Sequence, residues 1–326
     1  MSAAAEPPLA RRLLFWVVVG MLVVSLLIDA TVFTDAVEMP EAALAAWLTV
    51  VVQGVLALAL LGLADPLRRQ RAVLAVLAVL WGGIVAANVA AHANTALGSL
   101  LTKAGLASIE AAITAPLNEE TFKLLGVLAV LVLSVPSRLT AMDGFVYGFL
   151  VGTGFDLIEN VSYAYQAALE VEGGDAQFAA ALASSVDRLV QGFALHAFWT
   201  SMTGAGLAAA LAAGRGSRWR GWLLAAGLFL AALVLHSLWD LPALSASTAS
   251  QDAFVVILTL VVVLATAAVW RWSLGGERRL VVADSRMLGV APPASVWSLW
   301  RPEVGGRTRA VERAVRTGTG IEAGIG

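Results

Sequence analysis

The sequence predicts an all-α membrane protein in which about eight helices cross a bilayer. Two observations predict this class. Hydrophobic residues make up 59% of the 326 residues and charged residues only 13%, whereas soluble domains carry roughly 25% charged residues. Apolar segments close to the roughly 20 residues that span the hydrocarbon core recur along the chain. They cover residues 13–33, 42–63, 72–91, 104–135, 143–165, 183–213, 219–241 and 253–272.

The charges between these segments predict an orientation. Arginines precede the first segment and follow the second, fourth, sixth and eighth, while the other loops are acidic or neutral. Because positively charged loops stay in the cytoplasm, both termini are expected there. The first segment is expected to be a retained helix, since it is long for a signal peptide and no small-x-small cleavage pattern clearly follows it.

The fourth segment, 104–135, is too long for one simple span and contains Pro116. Proline has no N–H and disfavours helical backbone at the residue before it. The sequence therefore predicts a break near Pro116, with Asn118 as the N-cap of a second half-helix. Glu119 and Glu120 would then lie in the first turn, where the helix dipole favours negative charge.

Ionisable side chains inside apolar segments are the candidates for function. Each costs roughly 2.5–3.5 kcal/mol on insertion scales, so each calls for a reason. At about 1.5 Å per helical residue, Glu120, Glu159 and two histidines fall at overlapping depths in the outer half of the bilayer, with His196 in mid-helix. A single site is therefore feasible. The candidate catalytic residues are Glu119, Glu120, Lys123, Glu159, His196 and His236.

The glutamate pair suggests acid–base chemistry. Lys123 lies one helical turn from both Glu119 and Glu120 and can neutralise one of them, which leaves the other free to act as a general base. His196 and His236, on separate segments at similar depth, would either bind a metal with Glu159 nearby or polarise a carbonyl group.

Four further polar residues are expected to support these groups. Asp240 follows His236 by one turn and is placed to orient its imidazole. Asp156, Asn160 and Tyr163 share neighbouring helix faces with Glu159. Asp156 and Asn160 can also serve as interhelical hydrogen-bonding groups.

Other kinds of intramembrane protease are excluded or disfavoured by their motifs. The chain has no cysteine, which removes thiol nucleophiles and thiolate metal sites. It has no His-Glu-x-x-His and no Gly-x-Ser-Gly, which excludes site-2-type metalloproteases and argues against rhomboids. The run Gly152-Thr153-Gly154-Phe155-Asp156 matches the Gly-x-Gly-Asp of presenilin-like enzymes only weakly, since it has one residue too many.

Taken in order, these motifs resemble those of the PrsW family of intramembrane proteases, over about residues 100–245. The motifs are Glu119-Glu120-x-x-Lys123, Glu159-Asn160-x-x-Tyr163, His196 and His236-x-x-x-Asp240. The family is related to type II CAAX prenyl proteases and to the gamma-secretase scaffold subunit. The resemblance implies peptide-bond hydrolysis in which the glutamate pair and the histidines are catalytic.

The resemblance also implies a cofactor, a substrate and a location. The cofactor would be a divalent metal, with zinc bound by His196, His236 and Glu159, although a metal-free glutamate mechanism is argued for the CAAX relatives. The substrate would be a membrane protein, such as a single-pass anti-sigma factor cut at site 1, and the protein would lie in a bacterial-type plasma membrane. No nucleic-acid partner is expected.

Two other functions stay open from the sequence. A non-catalytic scaffold or substrate-binding subunit is compatible with the fold, although a retained glutamate pair argues against it. A transporter is compatible with a broken helix that carries charges, although no paired repeat is visible. Residues 1–272 are expected to form the transmembrane domain and 273–326 a mostly disordered cytoplasmic tail.

Overall fold

The chain forms a bundle of α-helices in a computed structural model that describes residues 8–9, 12–28, 31–134, 138–241 and 248–317. These residues contain no strand and eleven α-helices, if the stretch Ala72–Lys103 is taken as one helix. Five helices are long and apolar enough to cross a membrane, which confirms the polytopic helical bundle. The helix number exceeds the expected eight because several short helices do not span.

The helices are α1 (Leu13–Ile28), α2 (Thr31–Glu38), α3 (Pro40–Ala64), α4 (Ala72–Lys103), α5 (Glu110–Leu133), α6 (Ala141–Leu169), α7 (Gly174–Gly192), α8 (Leu195–Ala212), α9 (Arg218–Asp240), α10 (Thr248–Met287) and α11 (Pro302–Thr317). The candidate spans are α3, α4, α6, α9 and the part of α10 from Gln251 to Met287. Helix α5 has a sufficient length of 24 residues but carries three glutamates and a lysine.

Helix α6 lies at the centre of the bundle and is buried along most of its length. It begins with a capping box, in which Thr140 and Asp143 satisfy each other's backbone N–H groups. Helix α8 packs closely against it, because glycines let the two backbones approach. A Cβ added at Gly152 would lie only 2.6 Å from the backbone nitrogen of Ala197.

The expected break near Pro116 is wrong. Helix α5 runs without interruption from Glu110 to Leu133. The residues before Glu110 form a connection and a short 3₁₀ turn, so a single helix of ordinary length remains. The missing N–H of Pro116 removes one intrahelical hydrogen bond. Asn118 is not a cap, since its side-chain amide donates to Asn94 Oδ1 at 2.9 Å.

The expected single span over 183–213 is also wrong. It is divided between α7 and α8 at Phe193 and Ala194, and Ala194 has a left-handed backbone with φ of 59°. His196 therefore lies in the first turn of α8 and not in mid-helix.

Helix α4 contains one wide, π-helical turn over Trp81–Ala86. The indole of Trp81 donates to the carbonyl of Phe122 on α5 at 2.9 Å. Gly82 lies so close to α6 that an added Cβ would overlap the carbonyl of Val151. The turn thus fits α4 between α5 and α6.

Residues 273–317 differ from the expected disordered tail. Helix α10 continues to Met287 and α11 follows after a 3₁₀ turn at Val296–Trp300. A buried set of charges ties both helices to the bundle, which explains why this polar stretch is ordered. We call this set the arginine network: Arg69, Arg138, Asp143, Glu277, Asp284 and Glu312.

Candidate active site

A cavity of about 400 Å³ lies between α4, α5, α6, α7, α8 and α9. We call it the glutamate cavity. Polar residues from all six helices line it, and they include most of the candidates that the sequence predicted. Its ionisable lining residues are Glu110, Glu119, Glu159, Arg188, His196, His236 and Asp240.

Glu119, His196 and His236 lie together at the buried side of this cavity. Each offers one ligand atom, and these atoms lie within 4.8 Å of one another. Glu119 Oε2 is 3.8 Å from His196 Nδ1 and 3.7 Å from His236 Nε2. This oxygen is buried without a hydrogen-bond partner among the described residues, whereas Oε1 accepts from Asn94 at 3.2 Å. The two imidazoles thus lie on either side of a Glu119 oxygen that makes no hydrogen bond among the described residues.

Glu120 and Lys123 are fully buried behind this group and are not among the described residues that line the cavity. Lys123 Nζ lies 2.6 Å from Glu120 Oε1 and 2.7 Å from His196 Nδ1. Glu120 Oε1 also lies 3.1 Å from His236 Nδ1. The two members of the glutamate pair therefore differ: Glu119 faces the cavity, while Glu120 holds Lys123 and His236.

Glu159 lies on the other side of His196. Its Oε2 is 3.0 Å from His196 Nε2, and it is paired with the guanidinium of Arg188. Arg188 also donates to the side-chain oxygen of Asn160, and it lies over the ring of Tyr163, 4.0 Å from the centroid.

Sequence reasoning missed Arg188 as a site residue, because an arginine near the end of an apolar segment indicated the outer membrane face. The available signal was Glu159 itself, a carboxylate inside an apolar segment to which no cation had been assigned.

The imidazole of His236 is held on three sides. Asp240 Oδ2 lies 3.3 Å from its Nε2, as the i,i+4 spacing predicted, although without hydrogen-bond geometry. Glu120 contacts its Nδ1. The indole of Trp199 stacks on its ring with centroids 4.2 Å apart.

The remaining predicted residues support the site from α6. Asp156 is buried and accepts the backbone N–H of Ala197 at 3.4 Å, which helps to fix the first turn of α8. Asn160 donates to Gln53 on α3 at 2.6 Å. Tyr163 lines the cavity with its ring and is 42% exposed.

The group formed by Glu119, His196 and His236 fits a divalent cation. Two imidazole nitrogens and a carboxylate oxygen are the donor set of many catalytic zinc sites. The ammonium of Lys123 lies 3.8 Å from Glu119 Oε2, and this oxygen makes no hydrogen bond among the described residues, so an ion would satisfy it. The sequence predicted Glu159 as the carboxylate ligand beside the two histidines. In the structure the carboxylate whose oxygen lies within 4.8 Å of both imidazoles is Glu119, while Glu159 contacts His196 Nε2 and Arg188.

The comparison with protein families concerns this part of the chain. The family described as PrsW family intramembrane metalloprotease matches residues 70–267, a range that holds every residue named for the site except Gln53. No curated protein and no solved structure matches the chain.

Proposed function

The chain belongs to the PrsW family of intramembrane metalloproteases, and we propose that it cleaves membrane-protein substrates at the glutamate cavity, with Glu119 at the reacting centre. One observation carries this proposal. Glu119 Oε2 is a buried oxygen without a hydrogen-bond partner among the described residues, it faces a cavity, and it lies between two imidazoles. Such an arrangement is costly unless it binds something.

The family description implies a metal, and we assign its binding to Glu119, His196 and His236, with zinc as the ion. A bound zinc ion supplies Lewis acidity, which polarises a carbonyl and makes water a stronger acid. Buried Lys123 lies 2.7 Å from His196 Nδ1. The ammonium group of Lys123 would be displaced from this nitrogen by a cation bound there. Lys123 would then keep its ion pair with Glu120, whose Oε1 lies 2.6 Å away.

The surrounding residues orient these three groups and handle protons. Glu120 holds Nδ1 of His236, and Glu159 holds Nε2 of His196. Asp240 lines the cavity with an oxygen that makes no hydrogen bond among the described residues, so it can take a proton from the attacking water or pass one to the leaving amine.

In the metal-free alternative, Glu119 and the two imidazoles keep their positions but have different roles. Glu119 would itself be the general base, and the two imidazoles would polarise the scissile carbonyl. Both mechanisms need Glu119, so they differ in the ion and not in the site.

The substrate that we propose is a single-pass membrane protein of the anti-sigma factor type, in a bacterial plasma membrane with both termini of the protease in the cytoplasm. The alternating arginine-rich loops support this orientation. The identity of the substrate can be tested by comparing the membrane proteomes of cells that carry wild type or Glu119→Ala. The candidate substrate is a single-pass protein that accumulates uncut only with the variant.

The metal is tested on purified protein. We expect about one zinc ion per chain by mass spectrometry, lost together with peptidase activity on chelation and restored with it. Glu119→Gln should lose both zinc and activity, while Glu170→Gln, an exposed glutamate at the end of α6, should keep both.

Full activity in metal-free protein would overturn the zinc assignment and leave the glutamate mechanism. Unchanged processing by Glu119→Gln would overturn the proteolytic role of this site and favour a scaffold.

A further inference from the structure

A second cavity, of about 560 Å³, lies at the other end of the molecule, between α11 and the connection from α3 to α4. We call it the basic cavity. Seven arginines and one carboxylate, Glu312, contribute to its lining. It contains no residue of the glutamate cavity, so it is a separate site.

Among the described lining residues, Glu312 is the one carboxylate that could offset the arginines of the basic cavity. Glu312 is already shared between Arg138, at 2.8 Å, and Arg69, at 3.5 Å. Among the described residues, no carboxylate lies within 4.0 Å of Arg68, Arg313 or Arg316. An anion from outside the chain would satisfy these guanidinium groups.

Three of the arginines share one face of α11. Arg309, Arg313 and Arg316 follow the i, i+4, i+7 spacing that aligns side chains along a helix. Like charges at this spacing destabilise a helix. Arg309 is fixed by its hydrogen bond to the carbonyl of Leu67 at 2.7 Å, so it cannot turn away freely.

A buried donor also points to a ligand. Arg69 lines the basic cavity with a side chain that is only 4% exposed, and its Nε has no hydrogen-bond partner among the described residues. Its other nitrogens bind Asp143, Glu277 and the carbonyl of Arg138. A phosphate group, with several acceptor oxygens, suits a set of guanidinium forks better than a carboxylate does.

We propose that the basic cavity binds a phosphate group, and that the source of this group is the headgroup of an anionic phospholipid. The position of the cavity supports the lipid. Ala72 and Val73, the first residues of the membrane-spanning helix α4, line it, and Val73 is 52% exposed on the apolar surface of the bundle. The phosphate would lie at headgroup level, on the side that the arginine pattern predicts to be cytoplasmic, where anionic lipids are recognised by basic pockets.

The test compares lipids and variants in full-length purified protein. Native mass spectrometry with phosphatidylglycerol and phosphatidylcholine should show retention of the anionic lipid. Arg313→Gln/Arg316→Gln should weaken this binding about tenfold or more, from roughly 1 kcal/mol for each basic residue near the headgroups. The control is Arg215→Gln/Arg218→Gln, which removes one exposed arginine from the connection between α8 and α9 and another from the start of α9, on the same predicted side. Gel filtration checks that all variants fold alike.

Several outcomes would overturn the proposal. Equal binding of phosphatidylcholine would show that charge is not recognised, and equal loss in the control variant would show that the site is not the basic cavity. A third arm adds inorganic phosphate and glycerol phosphate without lipid. If these displace phosphatidylglycerol at low concentration, the phosphate site stands but its source is a soluble ligand. None of these measurements depends on peptidase activity.

Discussion

Helix α6 connects two buried clusters of charge that are satisfied in different ways. Near its first turn, the arginine network pairs nearly every charged atom. Both terminal nitrogens of Arg138 bind Asp284, at 3.0 and 2.8 Å, and Arg69 bridges Asp143 and Glu277. Near its other end, in and behind the glutamate cavity, three carboxylate oxygens make no hydrogen bond among the described residues. They belong to Glu119, Glu120 and Asp240.

The comparison shows that buried charge by itself does not identify a site. A matched network is expected to hold helices together, because removing one partner strands the others. An unmatched carboxylate beside a cavity is expected to serve a ligand or a reaction. Substitutions in the arginine network should therefore lower stability, and substitutions at the glutamate cavity should lower activity.

The largest effect is expected for Glu119→Gln in the glutamate cavity. Peptidase activity should fall by about 10⁴-fold, as for the loss of a central catalytic group. The thermal denaturation midpoint in detergent should change little, because the replaced oxygen makes no hydrogen bond among the described residues. Activity is measured as cleavage of a reconstituted substrate. Substantial remaining activity would contradict the role of Glu119.

The converse is expected for Arg138→Ala in the arginine network. It strands Asp284 and Glu312, and losing one partner of a buried ion pair costs about 3–5 kcal/mol. The thermal denaturation midpoint should therefore fall well below that of Arg218→Ala, an exposed control. The activity per folded molecule should stay near wild type. A variant that is stable but inactive would break the distinction between the clusters.

Gly152→Ala should impair the glutamate cavity without removing any of its polar groups. The added Cβ would lie 2.6 Å from the backbone nitrogen of Ala197 and would push the first turn of α8, which carries His196. A displacement of about 1 Å can cost about 100-fold in rate. Gly227→Ala on α9 is the matched control, since nothing lies within 4 Å of an added Cβ there. Equal activity in both variants would show that close packing does not position His196.

The smallest effect is expected for Arg188→Ala. It leaves Glu159 without its guanidinium and frees Asn160, so the support of His196 loosens. Losing such a supporting partner should lower kcat/KM by about tenfold. Arg188→Lys keeps the charge but not the planar guanidinium, so its kcat/KM should lie between those of wild type and Arg188→Ala. If Arg188→Ala raised the activity, the guanidinium would hinder catalysis, and its supporting role would be contradicted.

Much of the architecture could be predicted, because apolar segment length is a strong signal. Counting residues along helices placed Glu120, Glu159, His196 and His236 at overlapping depths, which made a single site feasible, and the structure brings Glu119, His196 and His236 together. The division at Ala194 could not be predicted, since a left-handed alanine is disfavoured locally and depends on the packing around it.

The roles within the glutamate cavity were harder to predict. Adjacent Glu119 and Glu120 cannot be distinguished by spacing, yet only Glu119 faces the cavity among the described lining residues. The ordered part of the tail depends on charges that lie far apart in sequence, such as Arg138 and Glu312, and no local pattern reveals such pairs.

The wide turn at Trp81–Ala86 determines the directions in which the side chains after it in α4 point around the helix axis. Such a turn accommodates one extra residue within a helix. Deleting that residue would rotate 87–103 by about 100° about the helix axis. Asn94, whose amide donates to Glu119 and accepts from Asn118, would then point elsewhere. A change in chain length of one residue, about two helical turns before Asn94, would thus leave Glu119 without its only described hydrogen-bond donor.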